Sequence, residues 1–344
     1  MSLPEDPVVA CLVAISRVGW LCALGLFVLQ LSHAPTAQTV AYGKTTLLAS
    51  NKSKGHSGKD GQGKDGQGKD GDDDDDEKMN PWRFLWELIW GLVWTALREP
   101  RALGAALTRK AIPAAWLWRA VYGWALLWTV AWATTTWLWV CGGAKKEGGE
   151  ECVVRYSWVA VALFGVQQSR RLLECLWLHR FSRLRSRRMS VLQWLLAVGF
   201  YMCLALSLLF EPSSPLPLRS PHLLLSSLSP PLILFLLASI LQNHSHRILA
   251  AFPSSSQANL VGGKYFIPQG GLFEYCSAPH YFAEVLVYAA LLLLADAWAL
   301  SVPLAFLFVL VTLASLAAKN HAWCLSVFGS AYPSSRSVII PFIW

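Results

Sequence analysis

A chain of 344 residues that is 54% hydrophobic and 15% charged, with 18 tryptophans, has the composition of a helical membrane protein and excludes an ordinary soluble domain. Its formal charge of +8 does not signal nucleic acid. The arginines and lysines fall in short connections between apolar runs, where they report membrane orientation.

In chain order, the first apolar run is Val8 to Leu31, long enough to span and to stay as an anchor. It carries Arg17, which is expected to face protein or to snorkel. Residues 1–49 hold this span and the start of a cytoplasmic loop. Residues 50–80 form a low-complexity insertion, with a Gly-Lys-Asp-Gly-Gln repeat that ends in an acidic run from Asp72 to Glu77. Nothing in it can build a core, so it reads as disordered and solvated. Residues 81–344 are the membrane core, with a polar C-terminal region at 265–344.

Trp82 to Leu97 is an aromatic-rich helix that contains Glu87. At 1.5 Å per residue it reaches about 24 Å, short of a ~30 Å hydrocarbon core, which suits an interfacial or re-entrant segment. Further spans are expected over Ala111–Val140, Val153–Trp177, Val191–Phe210, Leu223–Leu241, Tyr281–Leu300 and Val302–Ala318. A kink is expected at Pro230-Pro231 and a tight break near Pro303. A long loop, Gln242 to Ala278, carries His244 and His246. The fold class is therefore all-α, a polytopic transmembrane bundle of about seven spans. The run His179–Arg188, with five arginines and no acid, orients it with that loop and the C-terminus in the cytoplasm.

Eight cysteines include no Cys-x-x-Cys pair, and only Cys141 and Cys152, which bracket a loop expected to be luminal, are placed for a disulfide. Ionisable groups at the edge of hydrocarbon are costly and mark candidate sites. Arg170 and Glu174 stand at i, i+4 on one helix face, and His280 and Glu284 repeat that spacing. Arginines at a helix end suit a phosphate-bearing cofactor. Arg171 reads as one more positive-inside residue. His244, His246, His280 and His321 match no zinc spacing, so no metal is expected. No P-loop, no Gly-x-Gly-x-x-Gly after a strand and no Gly-x-Ser-x-Gly is present, so a dinucleotide would bind here without a Rossmann fold.

Ile267-Pro-Gln-Gly-Gly-Leu-Phe-Glu-Tyr275, Ser277-Ala-Pro-His-Tyr-Phe-Ala-Glu284 and Tyr332-Pro-x-x-Arg336 followed by Pro341-Phe-Ile resemble the C-terminal signature of the steroid 5α-reductase family. Tyr42-Gly-Lys-Thr45 and Ser169-Arg-Arg-Leu-Leu-Glu-Cys175 resemble its polyprenol (polyprenal) reductase branch. The resemblance implies an endoplasmic-reticulum membrane enzyme. Using NADPH, it would reduce the α-isoprene double bond of polyprenal or polyprenol, for the dolichol that supports N-glycosylation. The implied partners are a long-chain polyprenoid and membrane lipids. By the same resemblance, His280 and Glu284 match cofactor-binding positions, and Arg170, Glu174 and His246 fall at or beside others. Tyr332 and Arg336 lie in the C-terminal motif of the cofactor region. His321 matches a functional histidine that holds the nicotinamide or relays a proton. Glu87 resembles a glutamate that contacts the substrate carbonyl, and either Glu87 or Tyr122 is the expected donor to that oxygen.

Two departures stand out. His321-Ala-Trp-Cys324 lacks the branch's tyrosine, and the early His-Phe-Tyr motif aligns on Trp86–Leu88 or on Ala120–Tyr122. The same region would also fit a 3-oxo-steroid 5α-reductase or a trans-2-enoyl-CoA reductase. From a different class, an isoprenylcysteine-type membrane methyltransferase shares the multi-helix plan.

Overall fold

A computed structural model describes residues 7–32, 111–144, 155–178, 188–211, 214, 216–218, 220–251, 266–295 and 299–343. Glu87, the 82–97 helix, the 50–80 insertion, the Tyr42–Thr45 motif, the 179–187 basic run and the Cys141–Cys152 pairing lie outside the described residues or side chains.

Seven α-helices account for most of the described chain: α1 (Pro7–Ser32), α2 (Ala114–Ala144), α3 (Tyr156–Leu173), α4 (Val191–Phe210), α5 (Pro221–Ala250), α6 (Pro279–Leu292) and α7 (Ser301–Phe328). Two three-residue strands, β1 (Ala111–Pro113) and β2 (Arg188–Ser190), pair antiparallel with Ala111 opposite Ser190. They precede α2 and α4, so these two helices start side by side. Helix α2 packs on α3 and α4, α5 packs most extensively on α6, and α1 packs on α4 and α7.

The centre of the bundle is aromatic. Tyr122, Phe164, Tyr201 and Tyr288 are all buried. Tyr122 and Phe164 pack on Tyr201 with ring centroids 5.7 and 6.2 Å away. At one end of the bundle the Glu211 carboxylate, 5% exposed, joins three helices. Arg17 Nε and Nη2 donate to it at 2.9 and 2.8 Å, and the Ser301 backbone N–H and hydroxyl donate at 3.1 and 2.5 Å. Next to it, Ser16 and Trp20 of α1 donate to the Ser207 hydroxyl of α4 at 2.7 and 3.0 Å. Arg17 therefore does face protein, as one of the two expectations had it.

Helices α5 and α7, the latter with its following turn to Ala331, are long and apolar enough to cross a membrane, and the protein covers only 17% and 28% of their apolar windows. A soluble core helix of that composition would be buried. Leu232, Ile233, Leu236, Leu237 and Ile240 instead form an exposed band on α5, as lipid contact requires.

Three boundaries differ from the sequence expectation. Helix α5 runs through Pro230 and Pro231 and continues to Ala250, so His244 and His246 are helical and not in a loop. Polarity marks where a span leaves hydrocarbon, but glutamine, asparagine and histidine do not end a helix. Helix α6 stops at Leu292 and not at Leu300. Beyond it Leu294 and Ala299 are buried. Pro303 consequently falls in the first turn of α7, where proline is tolerated, and the break precedes it. Helix α7 extends to Phe328 and carries Lys319–Cys324 on its last turns.

Candidate active site

At the end of the bundle away from Glu211, two polar clusters flank the start of α6. The first is built on the end of α3. There the helix passes into a π-helical turn, Glu174–Leu178, that buries Glu174 and Cys175. Such turns aim side chains that a regular helix would rotate away. The Glu174 carboxylate collects Arg170 Nη1, Arg171 Nη1 and Asn243 Nδ2, the last at 2.9 Å, and its Oε2 lies 2.7 Å from His246 Nδ1. His246 Nδ1 is also 2.8 Å from Arg171 Nη1. One ring nitrogen cannot serve both neighbours at once. It donates to the carboxylate in one tautomer and accepts from the guanidinium in the other.

Gln242 links this cluster to α6. Its Oε1 accepts from Arg170 Nη2 and, at 3.2 Å, from Gln167 Nε2, while its Nε2 donates to Glu284 Oε2 at 2.7 Å. Arg171 Nε donates to the Tyr122 hydroxyl at 3.3 Å, and the guanidinium carbon stands 5.2 Å from the centre of that ring. The His280 ring lies 5.8 Å from that of His246 and 6.4 Å from Phe273. Of the expected residues, Arg170, Glu174, His246, His280, Glu284 and Tyr122 thus come together. Arg171 is corrected. It is buried and bonded on three sides, so it is a member of the cluster and not a solvated orienting charge.

The second cluster joins the segment before α6 to the end of α7 and the tail. The Tyr332 hydroxyl donates to Ser277 Oγ at 2.8 Å, and Ser277 Oγ is 2.6 Å from His321 Nδ1. The serine oxygen accepts from Tyr332, and toward His321 Nδ1 it donates or accepts according to the imidazole tautomer. The tail is held there by backbone pairing, with Ser277 N–H to Ser337 at 2.9 Å and Ser337 N–H to Tyr275 at 2.9 Å. Burial pushes the Tyr332 phenol up, so it stays a donor through ordinary pH.

Arg336 is 4% exposed, its guanidinium carbon lies 5.4 Å from the centre of the Tyr332 ring, and its Nη2 is 3.8 Å from Glu274 Oε2. Among the described residues its Nε and Nη1 have no hydrogen-bond partner, and neither has Arg170 Nε. Buried guanidinium donors without acceptors fit an anionic ligand. Among the described residues no cluster of histidine, cysteine and carboxylate side chains suits a metal.

The sequence reading missed Gln167, Gln242, Asn243 and Ser277. Only Ser277 carried a signal, as the first residue of a recognised motif. Neutral amides on an apolar helix carry none until the facing helix is known.

Comparison with known proteins finds relatives of the chain. Residues 187–344 match the family model described as 3-oxo-5-alpha-steroid 4-dehydrogenase. The matched region holds the second cluster and the α5 and α6 parts of the first. A polyprenal reductase of Danio rerio is 33% identical over 185 residues, 53% of this chain and 58% of the relative. Polyprenal reductase 1 of Arabidopsis thaliana is 28% identical over 261 residues, 64% of this chain and 78% of the relative. A 3-oxo-5-alpha-steroid 4-dehydrogenase 1 of Rattus norvegicus is 36% identical over 110 residues, 32% of this chain and 39% of the relative. The chain spans 58% to 64% of the length of the vertebrate polyprenal reductases that it matches.

Proposed function

We propose that this protein is an NADPH-dependent reductase of the α-isoprene double bond of polyprenal, acting in dolichol synthesis. The observation that carries the reading is the recurrence of polyprenal reductases among its vertebrate and plant relatives. The buried site with free cationic donors supports it. The bundle crosses the endoplasmic-reticulum membrane seven times with the C-terminus in the cytoplasm. The ends of α3, α5 and α7 and the start of α6 then share the cytoplasmic edge, reached by a soluble cofactor, while the polyprenoid tail stays in the bilayer.

Arg336 and Arg170 hold the phosphates through their free nitrogens, and Glu174 and Gln242 fix the guanidinium plane of Arg170. His246, His280 and Glu284 complete the cofactor cleft. The cofactor supplies a hydride to the β-carbon of the unsaturated aldehyde, and negative charge develops on the carbonyl oxygen. Tyr122 serves that oxygen. Its hydroxyl accepts from the Arg171 guanidinium, which makes its own hydrogen a stronger donor, as in an oxyanion hole. Glu87, whose motif suggests the same role, is the second candidate. His321 delivers the second hydrogen as a proton to the α-carbon, with Ser277 and Tyr332 orienting its ring.

The test incubates membranes containing the protein with NADPH and, separately, polyprenal, polyprenol and a 3-oxo-4-ene steroid. Products are read by mass spectrometry. A gain of two hydrogens on polyprenal is the expected result. Reduction of the steroid alone moves the protein to the sister branch, and absence of both reduction and NADPH binding overturns the reading.

A further inference from the structure

Gln168 is the one side chain of α3 whose chemistry the site leaves unexplained. It is fully buried, 0% exposed, and neither its Oε1 nor its Nε2 has a hydrogen-bond partner among the described residues. Its neighbour Gln167 is satisfied on both sides, by Gln242 and by Arg170. An enclosed amide with both ends unpaired is costly, and native proteins rarely keep one without a ligand, ion or water to meet it.

Its place says which ligand. Phe164 and Arg171 lie one turn before and one turn after it on the same face of α3. Phe164 packs on Tyr201 at 6.2 Å between ring centroids, and Arg171 Nε donates to Tyr122 at 3.3 Å. Gln168 therefore sits on α3 between a residue of the aromatic core and the arginine that bonds the Tyr122 phenol. A ligand that satisfies it must accept from Nε2 and donate to Oε1 together. An aldehyde oxygen only accepts. A primary carboxamide does both in one plane, and the nicotinamide ring carries one.

We propose that Gln168 reads the carboxamide of the nicotinamide ring, Nε2 donating to its oxygen and Oε1 accepting from its amino group. The pair fixes which face of the ring is turned to the substrate, so Gln168 is a positioning residue. This rests on the nicotinamide-cofactor reading above. Because the amide has no solvent contact, the side chains around it must give way when the ring enters.

The test measures binding, not turnover. Purified wild type and Gln168→Met are titrated with NADPH and with its reduced 3-acetylpyridine analogue, which keeps the carbonyl but has a methyl in place of the amino group. Adenosine 2′,5′-bisphosphate, which lacks the nicotinamide, is measured by competition as a control. Wild type should prefer NADPH over the analogue by about tenfold, the scale of one lost buried hydrogen bond. Gln168→Met should bind NADPH about tenfold more weakly, should no longer distinguish the analogue, and should hold the bisphosphate unchanged. Without cofactor the variant should melt at a higher temperature, because an unpaired amide has been replaced by an apolar group of similar size.

Unchanged discrimination in Gln168→Met overturns the proposal, as does a lower melting temperature of the ligand-free variant. If Gln168→Met fails to fold, the wild-type pair of titrations decides together with Gln168→Glu. Equal wild-type affinity for NADPH and the analogue overturns it, and so does a Gln168→Glu protein that binds both as wild type does. If wild type binds the bisphosphate but not NADPH's nicotinamide half more tightly, this inference fails alone. If it binds neither, the cofactor reading fails and takes the inference with it.

Discussion

Ser277 stands between two larger groups and decides what both can do. It accepts from the Tyr332 hydroxyl and is hydrogen-bonded to His321 Nδ1. Ser277→Ala removes both bonds and frees the imidazole to turn. We expect kcat to fall by about tenfold or more, with the KM for the polyprenoid unchanged, since the orientation of the imidazole belongs to the proton-transfer step. A raised KM with kcat unchanged would place Ser277 in substrate binding. The adjacent Cys276 gives a pH signature. Burial pushes its thiol up to about 11 from an ordinary value of 9.0, with its Sγ donating to the Leu272 carbonyl at 3.5 Å. The folded state holds this proton more tightly than the unfolded chain. Its contribution to stability is thus complete below pH 9 and is lost as pH rises toward 11. Melting temperatures from pH 8 to 11 should fall less steeply in Cys276→Ala than in wild type; parallel profiles would remove Cys276 from the account.

At the scale of elements, the polar loop before α6 is set on α5 by a glycine. Gly271 has φ +55, and a Cβ built on it would lie 2.7 Å from His244 Nε2. Gly271→Ala should cost about 1–2 kcal/mol through backbone strain alone. His244→Ala in the same chain should relieve the collision but not the strain, so thermal melts of the double variant should recover only part of the loss. Full recovery would show that the turn tolerates a side chain. This contact also shows what the sequence made legible. The spacing of Arg170 with Glu174 and of His280 with Glu284 is periodic and charged, and it found those residues. The Gly-Gly pair marked a turn. But His244 and His246 looked like loop residues, because hydropathy falls at Gln242 while the helix continues to Ala250. That extension presents Gln242, Asn243 and His246 to α3, and the cluster depends on it. Arg171 was misread for a related reason. A basic residue near a helix end resembles an orienting charge until the helices facing it are known.

Across the whole molecule, the apolar runs gave the number and order of the described helices, since each run must find a helical partner or lipid. They did not place the Arg17–Glu211–Ser301 junction, whose members lie far apart in sequence and meet only when α1 packs between α4 and α7. This junction sits at the end of α7 opposite His321, so fold and chemistry separate along that helix. Glu211→Ala removes the buried carboxylate from Arg17 and strips the Ser301 N–H of its acceptor. Breaking one side of a buried pair costs about 3–5 kcal/mol, and the side chain of Arg17, 29% exposed, brings the expected value to the low end of that range. Glu211→Gln, which keeps an acceptor for Ser301 and loses only the charge, should cost less. Both variants should lower the melting temperature in that order while the Kd for NADPH stays within about twofold, because no residue of the junction reaches the polar clusters. A large change in NADPH affinity would mean that the two ends are coupled through α7, with the packing of α1 setting the position of His321.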